Sequence, residues 1–319
     1  MGQSKFQRDA FFDRLYERAK EDKDVVLVVA DMSAPALDKF RLEMPTQFIN
    51  VGIAEQNAIQ IASGLALAGK KVFAYAISPF ITLRVLEQIR VSNCIMGIPI
   101  TIVGMGTGLS YENDGPTHHL IEDIAVMRAF PNMTIYNITD NVMATAVVDI
   151  CCDSGGVDYV RLDKDAYPDV YDTDCDFSYG MSKRNLEYVE TVIITSGAMY
   201  HVALEVSDLF MEKGDIGIGV VDIFRIPIGK PVFLERIKNA KRLVTLEEHF
   251  LAGGLGSAVC EILVDEGITV PLLRIGMEMD NGYKFSYKYG GRDIIRKWHG
   301  IDVKSVTTKV FDFIKEGTQ

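Results

Sequence analysis

With 319 residues, 48% hydrophobic and 24% charged, the chain has an ordinary globular composition and length for about two domains. Its 33 basic and 44 acidic residues give a net charge of −11; with no basic run, this argues against a nucleic-acid or anionic-membrane surface. No apolar stretch reaches the ~18 residues of a membrane-spanning helix. The opening Met1-Gly-Gln-Ser-Lys-Phe6 has neither an apolar signal core nor a hydroxyl residue at the sixth position for myristoylation.

In chain order, the periodicity predicts an amphipathic helix over Ser4–Lys20, with Phe6, Phe11 and Leu15 on one stripe. Val25–Val29 is a continuous apolar run bounded by charges, as expected of a strand buried on both faces. Asp31 stands at its end. The central stretch is Gly52-Ile-Ala-Glu-Gln-Asn-Ala58, which follows the short hydrophobic run Phe48–Val51 and opens a small-residue helix, Ala54–Gly69. Glu55 falls in the first turn, where exposed amides favour a carboxylate.

Strand Lys71–Ile77, helix Phe80–Cys94 and strand Pro99–Val103 follow. A glycine-rich loop spans Gly104–Gly115, then helix His119–Phe130, strand Met133–Ile138, helix Asn141–Asp153 and strand Asp158–Leu162. Such alternation predicts a parallel sheet covered on both faces. Periodicity is lost over Asp163–Tyr188, read as a linker. A second alternation begins at Thr191–Ser196: helix Met199–Lys213, strand Ile216–Ile223, helix Val232–Asn239, strand Arg242–Glu247, helix Gly254–Glu266, strand Val270–Ile275 and helices near 290–298 and 302–315. The expected fold is two doubly wound α/β domains, residues 1–165 and 189–319, joined by a linker over 166–188. The five cysteines (Cys94, Cys151, Cys152, Cys175, Cys260) are odd in number and form no CxxC pair. This suits a reduced, cytoplasmic chain and neither a disulfide framework nor a zinc site.

Several residues gather where ligands bind in open parallel sheets, beyond the carboxyl ends of the strands. Gly104-Met-Gly-Thr-Gly108 is no dinucleotide or Walker fingerprint; it fits a loop needing positive φ as well as a phosphate cradle. Asp114-Gly-Pro is turn chemistry, and the Thr117 hydroxyl is placed to cap the following helix. His118 and His119 then sit at its mouth, either as surface histidines or as an acid/base or anion site. Phe80 suits the core, or a stacking platform for a flat heteroaromatic ring.

At these residues the sequence resembles the transketolase family, and more narrowly the C-terminal half found in split, two-subunit forms. Gly52-Ile-Ala-Glu-Gln-Asn57, Leu86-Glu-Gln-Ile-Arg90, Glu112-Asn-Asp-Gly-Pro-Thr-His118 and Glu247-Glu-His-Phe-Leu-Ala-Gly-Gly-Leu-Gly256 carry the resemblance. It implies a domain that binds the pyrimidine of thiamine diphosphate, followed by a smaller C-terminal domain. By that resemblance Glu55 faces the ring nitrogen N1′ and favours the imino tautomer, whose nitrogen takes the proton from the thiazolium carbon. Phe80 is the stacking aromatic, Asp31 an acid at the cofactor pocket, and Ile77 stands where an aromatic is usual. Asp114 and His118 match substrate contacts, with His118 also catalytic. His119 replaces a glutamine, and Arg8 and Lys164 match basic positions facing a substrate anion. Gly106 and Pro35 stand near positions where the family contacts phosphate through His and Ser, so a phosphorylated sugar is less firmly implied than the two-carbon chemistry.

The Gly-Asp-Gly turn that grips the diphosphate and its Mg²⁺ does not occur: Gly214-Asp-Ile216 fails at its third position. No metal site is therefore expected on this chain. The resemblance implies a partner subunit holding the diphosphate end, in a heterodimer or heterotetramer, with sugars or sugar phosphates as substrates. Two other readings stay open at this point: another thiamine enzyme subunit acting on a 2-oxoacid (deoxyxylulose-phosphate synthase-like, or the β chain of a 2-oxoacid dehydrogenase), and a non-catalytic assembly subunit.

Overall fold

A computed structural model describes residues 6–32, 35–184, 189–212, 217–277, 287 and 289–316. Ser4 of the first predicted helix, Lys213 and the Gly214–Ile216 string lie outside these. The chain divides into two units, one of Met1–Tyr111 and Thr117–Cys175, the other of Glu112–Pro116 and Asp176–Gln319.

The first unit contributes six parallel strands: β1 (Val25–Val29), β2 (Phe48–Asn50), β3 (Lys71–Ile77), β4 (Ile100–Met105), β5 (Met133–Asn137) and β6 (Val157–Leu162), in the order β5-β6-β4-β3-β1-β2. Val29 lies beside Asn50 on one side and Tyr75 on the other, and Tyr75 beside Val103. All the carboxyl ends therefore share one edge. The order turns back on itself at β1, with β2 to one side and β3 to the other; such a switch point opens a crevice. Every residue of β1 and β4 is buried, as expected of strands covered on both faces.

Helix α1 (Gln7–Glu21) covers one face. Its Phe12 meets Tyr75 edge-on at 4.6 Å, and Phe11 meets Phe73 at 6.1 Å. Arg14 donates to Asp149 of α7 (Asn141–Ser154) from Nε at 3.0 Å and Nη2 at 2.8 Å. A buried network lies under the loops: Arg161 donates to both oxygens of Asp123 (2.6 and 3.0 Å) and to Asn137 (2.7 Å), and the Tyr159 hydroxyl donates to Asp123 at 2.7 Å. Each charge is thereby paired and hydrogen-bonded, the condition for burying it.

In the second unit β8 (Thr191–Thr195), β9 (Ile218–Asp222), β11 (Arg242–Phe250) and β12 (Leu272–Met277) are parallel, and β7 (Ser182–Arg184) closes the edge antiparallel to β9, in the order β12-β11-β8-β9-β7. A two-residue strand, β10 (Arg225–Ile226), and helices α8 (Ala198–Glu212), α9 (Lys230–Ile237), α10 (Leu255–Asp265), α11 (Arg292–His299) and α12 (Val303–Glu316) complete it. Buried Glu247 accepts from the amides of Leu255 (2.7 Å) and Gly256 (3.0 Å), and so caps α10. Buried Glu248 pairs with Arg292 and Arg296 of α11. Among the described residues no helix is long and apolar enough to cross a membrane.

Several expectations need correction. The predicted helix His119–Phe130 is only α6, Asp123–Met127. Leu120 instead exchanges two 2.9 Å backbone hydrogen bonds with Gly108 in an isolated antiparallel bridge, which keeps the start of this segment out of the helix. Thr117 consequently does not cap a helix; its hydroxyl lies 3.0 Å from His118 Nδ1. The predicted helix Phe80–Cys94 is a broken run: α4 (Ser78–Ile81), a 3-10 turn (Leu83–Val85), α5 (Leu86–Gln88) and a π-helical turn (Ile89–Ile95). Helix α2 (Pro35–Glu43), opened by its proline, is an element the periodicity does not predict. The expected linker contains β7.

Candidate active site

Beyond β2, Asn50 turns the chain. Its side-chain oxygen accepts from the amides of Asp31 (3.2 Å) and Gly52 (2.9 Å), and Gly52 takes φ +72°. That turn starts α3 (Glu55–Leu67) and places Glu55 in its first turn with a side chain 6% exposed. Ala54 provides no side-chain cap, so the helix terminus is left with amide partial charge that favours this carboxylate.

Beyond β3, α4 carries Phe80, half-buried. Arg84, four residues on, joins the two: Nη1 donates to Glu55 Oε2 at 2.9 Å, and its guanidinium carbon lies 4.0 Å from the centre of the Phe80 ring. His118, half-buried, meets Phe80 edge-on at 5.2 Å and Tyr111 at 5.8 Å. Lys164, just past β6, holds its ammonium 4.9 Å from the Tyr111 ring centre. A continuous series, Glu55–Arg84–Phe80–His118–Tyr111–Lys164, thus runs along the carboxyl edge of the first unit.

The glycine-rich loop shapes the far end of this series. Gly106 has φ +83°, and a Cβ there would overlap Tyr111 Cε2 and Cδ2. The loop therefore seats the tyrosine ring, and of its two readings, positive φ with close approach is the one it fulfils. Gln7, buried at the start of α1, accepts from the Asp163 amide (2.9 Å) and donates to the Ile138 carbonyl (3.3 Å), fixing the exit of β6 next to Lys164. Arg8 donates to Asp9 at 2.9 Å. It also acts on the Tyr75 phenol, which burial pushes up, Arg8 pulls back, and Tyr111 and Asp9 push further.

The remaining expected residues lie at the margins. Asp31 is exposed at the end of β1 with φ +51°, and Ile77 is half-buried immediately before α4. His119 is buried beside the Gly108–Leu120 bridge, and Asp114, exposed, belongs to the second unit. Arg84 and Tyr111 are absent from the residues that sequence reasoning singles out. The signal for Arg84 is its place one turn after the candidate platform, where side chains at i and i+4 meet.

A planar, cationic N–H donor already rests on both the Phe80 ring and the Glu55 carboxylate. A flat aromatic ring with an N–H edge makes the same two demands, so these residues fit an aminopyrimidine.

The fold and this edge define a member of the transketolase family, and the chain belongs to it. Residues 6–169 match the transketolase pyrimidine-binding domain and residues 182–306 the transketolase C-terminal domain. Within the family it is a β-like subunit of a split, two-subunit transketolase, a transferase. It is 36% identical over 316 residues to an apulose-4-phosphate transketolase subunit of Phocaeicola vulgatus, covering 97% of each chain. It is 31% identical to a 6-deoxy-6-sulfo-D-fructose transketolase subunit of a Clostridium species, covering 94% of this chain and 91% of that one. A split-gene transketolase solved as an inactive β4 tetramer superposes with a TM-score of 0.84 at 30% identity, covering 97% and 98%. Against the transketolase of Rattus norvegicus (30% identical) it covers 87% of its own length and 44% of the other's.

Proposed function

We propose that this chain supplies the pyrimidine end of a thiamine diphosphate site, and that a second subunit supplies the grip on the diphosphate and its Mg²⁺. The complex, a heterodimer or heterotetramer, moves a two-carbon ketol unit from a ketose to an aldose. Thiamine diphosphate, when bound, supplies the nucleophilic carbon that carries that unit. The observation that carries the reading is the pairing of one buried carboxylate, Glu55, with one half-buried aromatic ring, Phe80, through a shared planar donor.

In this reading Glu55 would share a proton with the ring nitrogen N1′, accepting its N–H in the imino tautomer, and its burial would keep water from competing. Phe80 would offer the face on which the ring stacks, and Ile77 and Asp31 are assigned to the same cofactor pocket. His118 is close enough to Phe80 to serve a substrate hydroxyl or carbonyl as hydrogen-bond partner and proton carrier. His119 belongs to the same substrate set, and Asp114 keeps the substrate role that the family resemblance gives it. Lys164 over Tyr111 makes a cationic end to the series, and Arg8 is assigned to the same substrate anion. The relatives named for apulose 4-phosphate and for a sulfo-sugar both act on compounds with an anionic tail, and a lysine ammonium reads such a tail as a point charge. An anionic ketose donor follows.

Glu55→Gln tests the reading. Co-purified with its partner, the variant should assemble normally and lose ketol transfer by about 10²-fold or more, the upper span of a general acid–base contribution. Near-wild-type turnover would leave this chain a non-catalytic subunit.

A further inference from the structure

The two groups assigned to the pyrimidine are both engaged by one side chain. Arg84 gives an N–H to Glu55 at 2.9 Å and lays its guanidinium on Phe80 at 4.0 Å. A centre 4.0 Å from the ring leaves no room for a second flat group on that face. The Arg84 side chain is 45% exposed while that of Glu55 is 6% exposed, so the arginine reaches in from solvent to a carboxylate that cannot reach out. It stands in a three-residue 3-10 turn, Leu83–Val85, flanked by breaks in the helical run.

We infer that Arg84 is a placeholder: it occupies the pyrimidine position in the cofactor-free subunit and swings out to solvent when the ring enters. The inference rests on the proposed assignment of Glu55 and Phe80. The physical reason for such a residue is the carboxylate. Enclosed and unpaired, Glu55 would carry a large desolvation cost, and Arg84 supplies the missing N–H donor and charge. A guanidinium matches the ring in both respects, being flat enough to stack and edged with donors. Entry of the ring, protonated at N1′, then exchanges one N–H···O bond and one stack for another of each. Arg84 thus satisfies Glu55 only while the ring is absent, and it competes with the cofactor.

The test is a titration of the two-subunit complex with thiamine diphosphate, followed by fluorescence, with ketol transfer measured alongside. Arg84→Met should tighten the apparent Kd about 3- to 30-fold, the combined worth of a partly exposed ion pair and a cation–ring contact. Arg84→Lys, which retains charge but not the flat fork, should fall between Arg84→Met and wild type and guards against a folding defect. Unchanged or weaker cofactor binding by a folded Arg84→Met complex would overturn the placeholder alone. A wild-type complex that binds no thiamine diphosphate would overturn the functional assignment and this inference with it.

Discussion

Replacing Gly106 with alanine tests how the far end of the site is built. The substitution forces an L-residue into φ +83°, at about 1–2 kcal/mol. The backbone cannot easily relax, because the Gly106 amide donates to the Leu162 carbonyl at 2.8 Å. The new Cβ also overlaps the Tyr111 ring, 3.0 Å from Cζ and nearer still to Cδ2 and Cε2, so the ring must leave. Its departure forfeits the Lys164 contact and the His118 contact, each on the order of 0.5–1 kcal/mol. The expected total is about 2–4 kcal/mol in urea unfolding of the full chain. In a Tyr111→Ala background the clash is absent, and Gly106→Ala should cost only the backbone term of about 1–2 kcal/mol. A double-mutant cycle should therefore give a coupling of about 1–2 kcal/mol. Additivity within about 0.5 kcal/mol would refute the claim that Gly106 exists to seat Tyr111.

Two further predictions concern buried acids. Burial pushes the Asp158 carboxyl up to about 6, although the Ser154 hydroxyl hydrogen bond lowers it. A raised carboxyl means that the folded state holds the proton more tightly, so the associated stability is present at low pH and is lost as pH rises through about 6. Asp158→Asn should accordingly stabilise the chain by about 1–3 kcal/mol at pH 7 and by little near pH 4; a gain that does not grow between these values in urea titrations defeats this account. Burial alone would raise the Glu248 carboxyl, but Arg292 and then Arg296 hold it well below the carboxylate range. Its stabilisation is present at neutral pH and lost on acidification. Glu248→Ala leaves two buried guanidinium groups without this partner and should cost about 3–5 kcal/mol at pH 7; a loss below about 1 kcal/mol would show that α11 does not depend on the pair.

Much of the architecture is legible in the chain, because burial on both faces of a parallel sheet writes itself as unbroken apolar runs. The runs at Val25–Val29, Lys71–Ile77 and Thr191–Ser196 form strands with those bounds or within a residue of them. Glu55 and Phe80 are readable as candidates through their places just past strand ends and through the family resemblance. Local signals fail where distant backbone intervenes. Helical periodicity over His119–Phe130 loses to the two hydrogen bonds between Leu120 and Gly108, a residue on the other side of the Asp114-Gly-Pro turn.

By itself, the sequence determined the layering, the family and the single carboxylate on which the chemistry is proposed to turn, since these rest on local pattern and residue type. The tertiary structure alone decided that Arg84 would lie on both Glu55 and Phe80, that Tyr111 would stand on Gly106, and that Glu247 would cap a helix. The physical reason is the same in all three cases. A buried carboxylate or a φ-positive glycine states a need for a partner, while the partner that meets it is chosen by the path of the chain beyond the strand ends: Glu55 follows β2 and Arg84 follows β3, Tyr111 returns over Gly106 within one loop, and α10 begins against the end of β11.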